Sequence, residues 1–197
     1  MKFLMEEWFW AMTQAFGIVL TLIVIYKQIR IQTSSHVVQT LQVIHTRWTE
    51  EPMRWARFKV CSSYLNGNFE FEGEPEYIAE FLEELGGYLK IKAVTRDAMW
   101  DAQSWNIEHY YCMFKLGIEA SRLTFHDDNL YENTELLFLA MAEHSKQRGA
   151  ASSQRGPEDL HRFAQYELQV TSPFLSSQEA AKAPMPPKPV NLQDAAR

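Results

Sequence analysis

The feature that most constrains this fold is a long uncharged apolar run near the N-terminus, from Trp8 to Tyr26. As an α-helix rising about 1.5 Å per residue, the run would extend roughly 28 Å, close to the thickness of a bilayer's hydrocarbon core. The whole chain nevertheless has the mean hydropathy of a soluble protein, −0.31. We therefore predict one transmembrane helix joined to a soluble domain.

The residues on either side of the run predict its orientation. Glu6 and Glu7 precede it, whereas Lys27 and Arg30 follow it. Because basic residues favour the cytoplasmic side, we expect the N-terminus outside and the rest of the chain in the cytoplasm. Aromatic side chains lie at both ends of the run, as they do at membrane interfaces. The predicted interface residues are Trp8, Trp10, Tyr26, Lys27 and Arg30.

Two other interpretations of the run are less favoured. A signal peptide needs a basic start, a short apolar core and a small-residue cleavage site. Here acidic residues come first, and no such site follows Ile25. A core helix of a soluble protein would normally interrupt the run sooner. The lipid bilayer is therefore the first predicted partner.

One face of the predicted helix carries small and polar side chains at helical spacing, namely Thr13, Gln14, Gly17 and Thr21. Such a stripe lets two helices approach closely and hydrogen-bond across the contact, and an amide facing lipid is unfavourable. We interpret the stripe as a packing surface for a second transmembrane helix, from another integral membrane subunit or from a second copy. The alternative is a plain anchor that tolerates a few threonines.

The rest of the chain predicts an α-helical bundle, because helical periodicity recurs and no segment has the pattern of a strand. We expect residues 1–30 to form the transmembrane helix with its flanks and residues 31–148 the cytoplasmic bundle. Residues 149–197 should form a linker, a short amphipathic helix and an extended Pro-rich tail. The predicted fold class is thus all-α, with a single transmembrane helix continuing into the bundle.

Local signals give the approximate helix boundaries. Thr95 or Asp97 is expected to cap a long, central helix, and Pro52 lies where a helix can begin. The predicted helices after the membrane cover about residues 37–48, 52–65, 75–92, 96–123 and 130–147, with a short one that contains Leu160, Phe163, Ala164 and Leu168.

Charge and cysteine content exclude some functions. A net charge of −6 argues against non-specific nucleic-acid binding. The two cysteines lack the spacing of a disulfide framework. Glu80 and Glu84 lie opposite an apolar stripe, so we interpret them as a solvated face rather than as paired catalytic carboxylates.

Three segments resemble an uncharacterised family of short bacterial proteins, a domain of unknown function. They are FLEELGGYLK (81–90), WNIEHYYCMFKLGIEASR (105–122) and YENTELLFLAMAEHSK (131–146). In that pattern an acidic residue precedes a glycine, as Glu84 and Gly86 do here, and an aromatic helix ends in an arginine such as Arg122. The resemblance implies one N-terminal span and a helical cytoplasmic domain, and it implies no catalytic residues.

The best candidate for a metal site is the pair His109 and Cys112, which share a helical face beside Glu108. Zinc or iron would need two more ligands, for which spacing fixes no choice among Glu119, His144 and Asp101. A hydrogen-bonded core histidine is the alternative. No Gly-rich phosphate loop or nucleophile motif occurs, so we predict neither a cofactor nor an enzymatic activity.

Three functional hypotheses follow from these patterns. The first is a non-catalytic accessory or scaffolding subunit of a bacterial inner-membrane complex, docking through its transmembrane helix, bundle and tail. The second is a self-associating single-span sensor or effector, acting in stress or phage defence. The third is a membrane-tethered metalloenzyme centred on His109 and Cys112.

Overall fold

The structure, a computed structural model, describes residues 2–150 and 155–174. Every regular element in these ranges is helical, which confirms the all-α class with an apolar N-terminal helix. The predicted Pro-rich tail lies outside the described residues. The helices are α1 (Lys2–Thr49), α2 (Glu51–Leu65), α3 (Glu74–Lys90), α4 (Arg96–Phe125), α5 (Glu132–Gln147) and α6 (Pro157–Thr171), followed by a short 3-10 turn (Ser172–Phe174).

The chain divides into two compact units, Met1–Thr40 and Leu41–Arg197. In the first unit the described residues belong to one helix, the larger part of α1. The second unit contains the last turns of α1 and the helices α2 to α6.

Capping residues explain where α4 begins and ends. Thr95 Oγ1 accepts the Ala98 N–H at 3.2 Å, so Thr95 rather than Asp97 is the cap. His126 ends the helix in the left-handed conformation, with φ of 54°. Tyr131 is also left-handed, with φ of 58°, and for this reason α5 begins at Glu132 rather than near residue 130.

The core of the second unit is built around α4, which contacts α3, α5 and α6. Tyr110 and Phe114 on α4 are fully buried. The end of α1 contributes Ile44 and Trp48, and the Trp48 ring stacks on Phe81 with centroids 5.5 Å apart. The amphipathic pattern of these helices thus closes one aromatic-rich core.

The contact between α3 and α5 depends on a glycine and a carboxylate. A Cβ added to Gly86 would lie 2.1 Å from the Asn133 carbonyl oxygen, so only glycine permits this approach. Glu83 accepts the backbone N–H groups of Asn133 and Thr134, at 3.2 and 2.7 Å. These are free donors in the first turn of α5, and Glu83 therefore caps α5 from a neighbouring helix.

Candidate functional site

The N-terminal half of α1 is the first candidate site. Trp8–Ile29 is the one helical segment among the described residues that is long and apolar enough to cross a membrane, with a mean hydropathy of 1.9. Its side chains are exposed throughout, so they contribute to no core. A signal sequence near an N-terminus can meet the same criteria of length and apolar composition.

Three of the four residues of the predicted packing stripe, Gln14, Gly17 and Thr21, line a shallow groove on this helix together with Ile18 and Leu22, and Thr13 does not line it. The Thr21 hydroxyl donates to the Gly17 carbonyl at 2.8 Å, and the Thr13 hydroxyl donates to the Phe9 carbonyl at 2.9 Å. Because both hydroxyls are satisfied within the helix, the Gln14 amide and the bare Gly17 backbone are what the stripe offers to a neighbour.

The predicted interface residues lie at the two ends of the segment. Trp8, Trp10, Tyr26 and Lys27 are all exposed. The side chain of Arg30 lies outside the described residues. The exposed rings therefore lie near the two ends of the apolar segment.

The second candidate region is the seam between α6 and the bundle. We call the segment from Arg155 to Phe174 the strap. Its apolar residues Leu160, Phe163, Ala164 and Leu168 are buried, and it packs mainly on α2 and also on α4. The seam holds two ion pairs, one buried and one partly buried, that the sequence patterns did not single out.

The first ion pair joins Arg57 on α2 to Glu167 on α6. Arg57 Nη2 and Nε lie 2.6 and 2.7 Å from Glu167 Oε2, and both side chains are almost completely buried. Arg57 also donates to the Trp48 carbonyl and lies 4.2 Å from the centroid of the Trp48 ring. The Tyr110 hydroxyl donates to the same carboxylate at 3.1 Å. Arg57 and Glu167 are thus both bonded to groups from other helices.

Burial makes the remaining members of this cluster unreactive. Burial and the charge of Glu167 raise the pKa of the Cys61 thiol, which lies 3.7 Å from the Tyr110 hydroxyl. Burial also raises the pKa of Tyr110 well above its ordinary value. Both groups remain protonated at neutral pH, so neither acts as a nucleophile or base there.

The second ion pair joins Arg155 on the strap to Glu108 on α4, which is 1% exposed. The Ser145 hydroxyl donates to the other oxygen of Glu108 at 2.7 Å and accepts the Trp100 indole N–H at 2.7 Å. This chain of contacts ties α4, α5 and the strap together. It leaves the Ser145 hydroxyl fully engaged rather than available for catalysis.

His109 and Cys112, the predicted metal ligands, lie in the same seam. His109 Nδ1 donates to the Trp105 carbonyl at 2.6 Å, and its ring stacks on Phe163 at 4.5 Å. Burial lowers the pKa of His109 and raises the pKa of Cys112. Within the described ranges, no group of three His, Cys, Asp or Glu side chains could hold a metal ion. The geometry is that of the alternative, a hydrogen-bonded core histidine.

The two acidic residues interpreted as a solvated face, Glu80 and Glu84, differ in their contacts. Glu80 is exposed, but Glu84 is only partly exposed and bonds to both Arg47 and Tyr88. The hydrogen bonds from Tyr88 and Arg47 outweigh burial and hold the pKa of Glu84 below its usual value. The periodicity of α3 alone could not reveal this, because Arg47 comes from the distant end of α1.

The signal that could have revealed Glu167 is its position in the apolar stripe of α6. Leu160, Phe163, Ala164, Glu167 and Leu168 recur at spacings of three, four, seven and eight from the first. A carboxylate at one of these positions must be buried with a partner or must interrupt the packing. Its partner Arg57, 110 residues away, could not be found from spacing.

Comparison with protein families, curated proteins and solved structures finds no match. The arrangement of the described residues therefore has to be interpreted from its own chemistry. The buried charges of the seam pair with each other across helices and fix how the helices meet. The N-terminal helix is apolar, and its side chains from Trp8 to Ile29 are exposed.

Proposed function

We propose that this protein is a non-catalytic accessory or scaffolding subunit of a bacterial inner-membrane complex. The observation that carries the proposal is the contrast between a fully exposed apolar helix and a bundle with its own core. We infer that the apolar helix lies in a lipid bilayer and that the bundle folds in water. The resemblance to a family of single-span bacterial proteins points to the same organisation.

A retained transmembrane helix is favoured over a cleaved signal sequence. The helix α1 runs without interruption from the apolar segment to Thr49. Its last turns bury Ile44 and Trp48 in the bundle core. Lys27 then marks the cytoplasmic end of the span, which puts the bundle in the cytoplasm.

Docking on partner subunits is the proposed role of the groove on α1. In a helix surrounded only by lipid, Gln14 would be unfavourable, since a side-chain amide in hydrocarbon needs a hydrogen-bonding partner. At Gly17, no neighbouring atom lies within 4 Å of the position that a Cβ would take. A partner helix could therefore approach this backbone closely and bond to the amide.

The test is purification of the tagged full-length chain from its native host in mild detergent. The proposal predicts that defined integral membrane subunits co-elute, identified by mass spectrometry, and that the chain retains an N-terminal tag. A homo-oligomer without other subunits would favour the self-associating sensor or effector instead. A chain that has lost its N-terminal tag and stays soluble after carbonate washing would contradict membrane anchoring.

A further inference from the structure

Polar residues recur on α1 at every seventh position, from the apolar segment into the helix beyond it. They are Gln14, Thr21, Gln28 and Ser35. A second set has the same spacing and follows the first by three residues, namely Gly17, Val24, Ile31 and Val38. Both sets belong to the uninterrupted helix α1. Two interleaved seven-residue repeats are typical of a helix that winds around another helix in a left-handed coiled coil.

The two sets share one face of α1, which we call the heptad face. At about 3.6 residues per turn, its positions lie within about 60° of a single line and extend over about 36 Å. Val24 and Val38 are 50% and 63% exposed, and the polar set is exposed as well. We propose that the heptad face binds the same face of a second copy of this chain, in a parallel dimer that continues from the membrane into the cytoplasm.

The charges of this part of α1 favour a second copy as the occupant. Copies inserted with one topology run parallel, so each residue of the heptad face meets its own counterpart at the same depth. A charged residue on this face would therefore meet a like charge, and the sequence places none there. Lys27 and Arg30 lie about 80° and 140° from Gly17 around the helix. Pairing of two heptad faces thus creates no like-charge repulsion.

The glutamines supply hydrogen bonds that a second copy matches. A side-chain amide carries both donors and an acceptor, so Gln14 can bond to Gln14 of the second copy, and Gln28 to its own counterpart. An unrelated helix would need polar groups at the same depths and at the same seven-residue spacing. A second copy in register has them at every position. Buried polar residues at such positions fix the register of a coiled coil.

The dimer rests on the proposed membrane anchoring of α1 and on no other part of the proposed function. Within a larger complex, the dimer would be the unit that other subunits contact. The two proposals therefore fail separately. Purification without other subunits would contradict the accessory role, whereas contacts between two copies decide the dimer.

The test is disulfide cross-linking of the full-length chain in native-host membranes, with one cysteine added at a time. All variants carry Cys112→Ser, which removes the partly exposed native thiol, and Cys61 is fully buried. The chain without an added cysteine is the blank. The cross-linked product is identified by mass spectrometry, because a dimer of this chain has twice its mass and contains no other protein.

Val24→Cys, Gln28→Cys and Ser35→Cys place a thiol on the heptad face. The controls Ile23→Cys and Tyr26→Cys place it about 120° and 180° away from Gly17 around the helix. A disulfide requires Cβ atoms about 4 Å apart, so we expect about tenfold more cross-linked dimer at the first three positions than at the controls.

A second pair of variants tests the close approach at Gly17. Added to Val24→Cys, Gly17→Leu should remove most of the cross-linked dimer, whereas Ala15→Leu on the other side of the helix should leave it unchanged. Equal cross-linking at the heptad face and at the controls, or none at any position, would overturn the dimer. Cross-links from the heptad face to a different protein would overturn it in favour of another subunit.

Discussion

Two glycines, one in each unit of this protein, have very different surroundings. At Gly86 in α3, the Asn133 backbone of α5 occupies the space where a Cβ would be. At Gly17 in α1, nothing lies within 4 Å of that position. In the bundle, the missing side chain of Gly86 lets α3 and α5 approach closely. Among the described residues, no other helix makes such an approach at Gly17.

The polar groups of the two units also differ in where their hydrogen-bond partners lie. In the apolar segment, the hydroxyls of Thr13 and Thr21 bond to carbonyls of their own helix. In the bundle, Arg57 and Glu167 are satisfied only when two separate helices meet. The bundle is therefore specified by pairs between its own helices, whereas these two hydroxyls bond within a single helix.

The largest effect should come from breaking the Arg57–Glu167 pair. Glu167→Ala leaves the Arg57 guanidinium buried without its carboxylate, and we expect a loss of about 3–5 kcal/mol in the free energy of unfolding. The double variant Arg57→Met with Glu167→Leu should recover most of this loss. Urea titration in detergent measures both, with Glu158→Ala on the exposed side of α6 as the control. A loss below about 1 kcal/mol would mean that the pair is not buried as described.

The filled glycine contact provides the next largest effect. Gly86→Ala forces a Cβ against the Asn133 backbone, and we expect a destabilisation of about 1–3 kcal/mol. Gly87→Ala is the matched control, because no atom lies within 4 Å of its Cβ position. That substitution should stabilise α3 by up to about 1 kcal/mol. Equal effects of the two substitutions on the thermal midpoint would contradict the close contact between α3 and α5.

The stability of the bundle should depend on pH through His109, whose ring stacks on Phe163 of the strap. Burial lowers the pKa of His109 in the folded state. As the pH falls through the ordinary histidine range, His109 therefore becomes protonated in the unfolded chain before it does so in the folded chain. The folded protein should therefore lose stability as the pH falls below about 6.5. The groups facing His109 from the strap and from α4 are Arg155, Asp159 and Glu108.

The variant that isolates this effect is His109→Phe, which retains a ring to stack on Phe163. Its stability should depend less on pH between neutral and mildly acidic conditions than that of the unmodified chain. Denaturant titrations at a series of pH values give the two curves. Parallel curves would exclude His109 as the source of the acid sensitivity.

The smallest effect is expected at the partly exposed pair of Arg47 and Glu84. Solvent screens this pair, so Glu84→Gln should change the free energy of unfolding by less than about 1 kcal/mol. The pKa of Glu84 is lowered in the folded state, so its contribution is present at neutral pH and declines as the pH falls through the carboxylate range. A much larger loss in the same urea titration would indicate that Glu84 does more than pair at the surface.

Much of the fold follows from local sequence signals. The apolar run predicts the exposed helix, and Thr95 predicts the start of α4, since caps and periodicity act over a few residues. The strap–bundle seam was not predictable in this way. The position of Glu167 in the apolar stripe of α6 indicates a buried carboxylate, but its partner Arg57 could be identified only from the fold, which brings α2 and α6 together. His109 was recognised from its helical face, but its bond to the Trp105 carbonyl and its stacking on Phe163 needed the structure.

The most direct measurement compares Gly17→Leu with Ala15→Leu in the native host, on native gels of mildly solubilised membranes. Ala15 and Gly17 are two positions apart and so face nearly opposite sides of the helix. Both variants add a large apolar side chain, but only one of them fills the groove. The account predicts that Gly17→Leu releases the protein from its larger assembly and that Ala15→Leu does not. If both variants stay in the larger assembly and migrate like the unmodified chain, docking through the groove is contradicted.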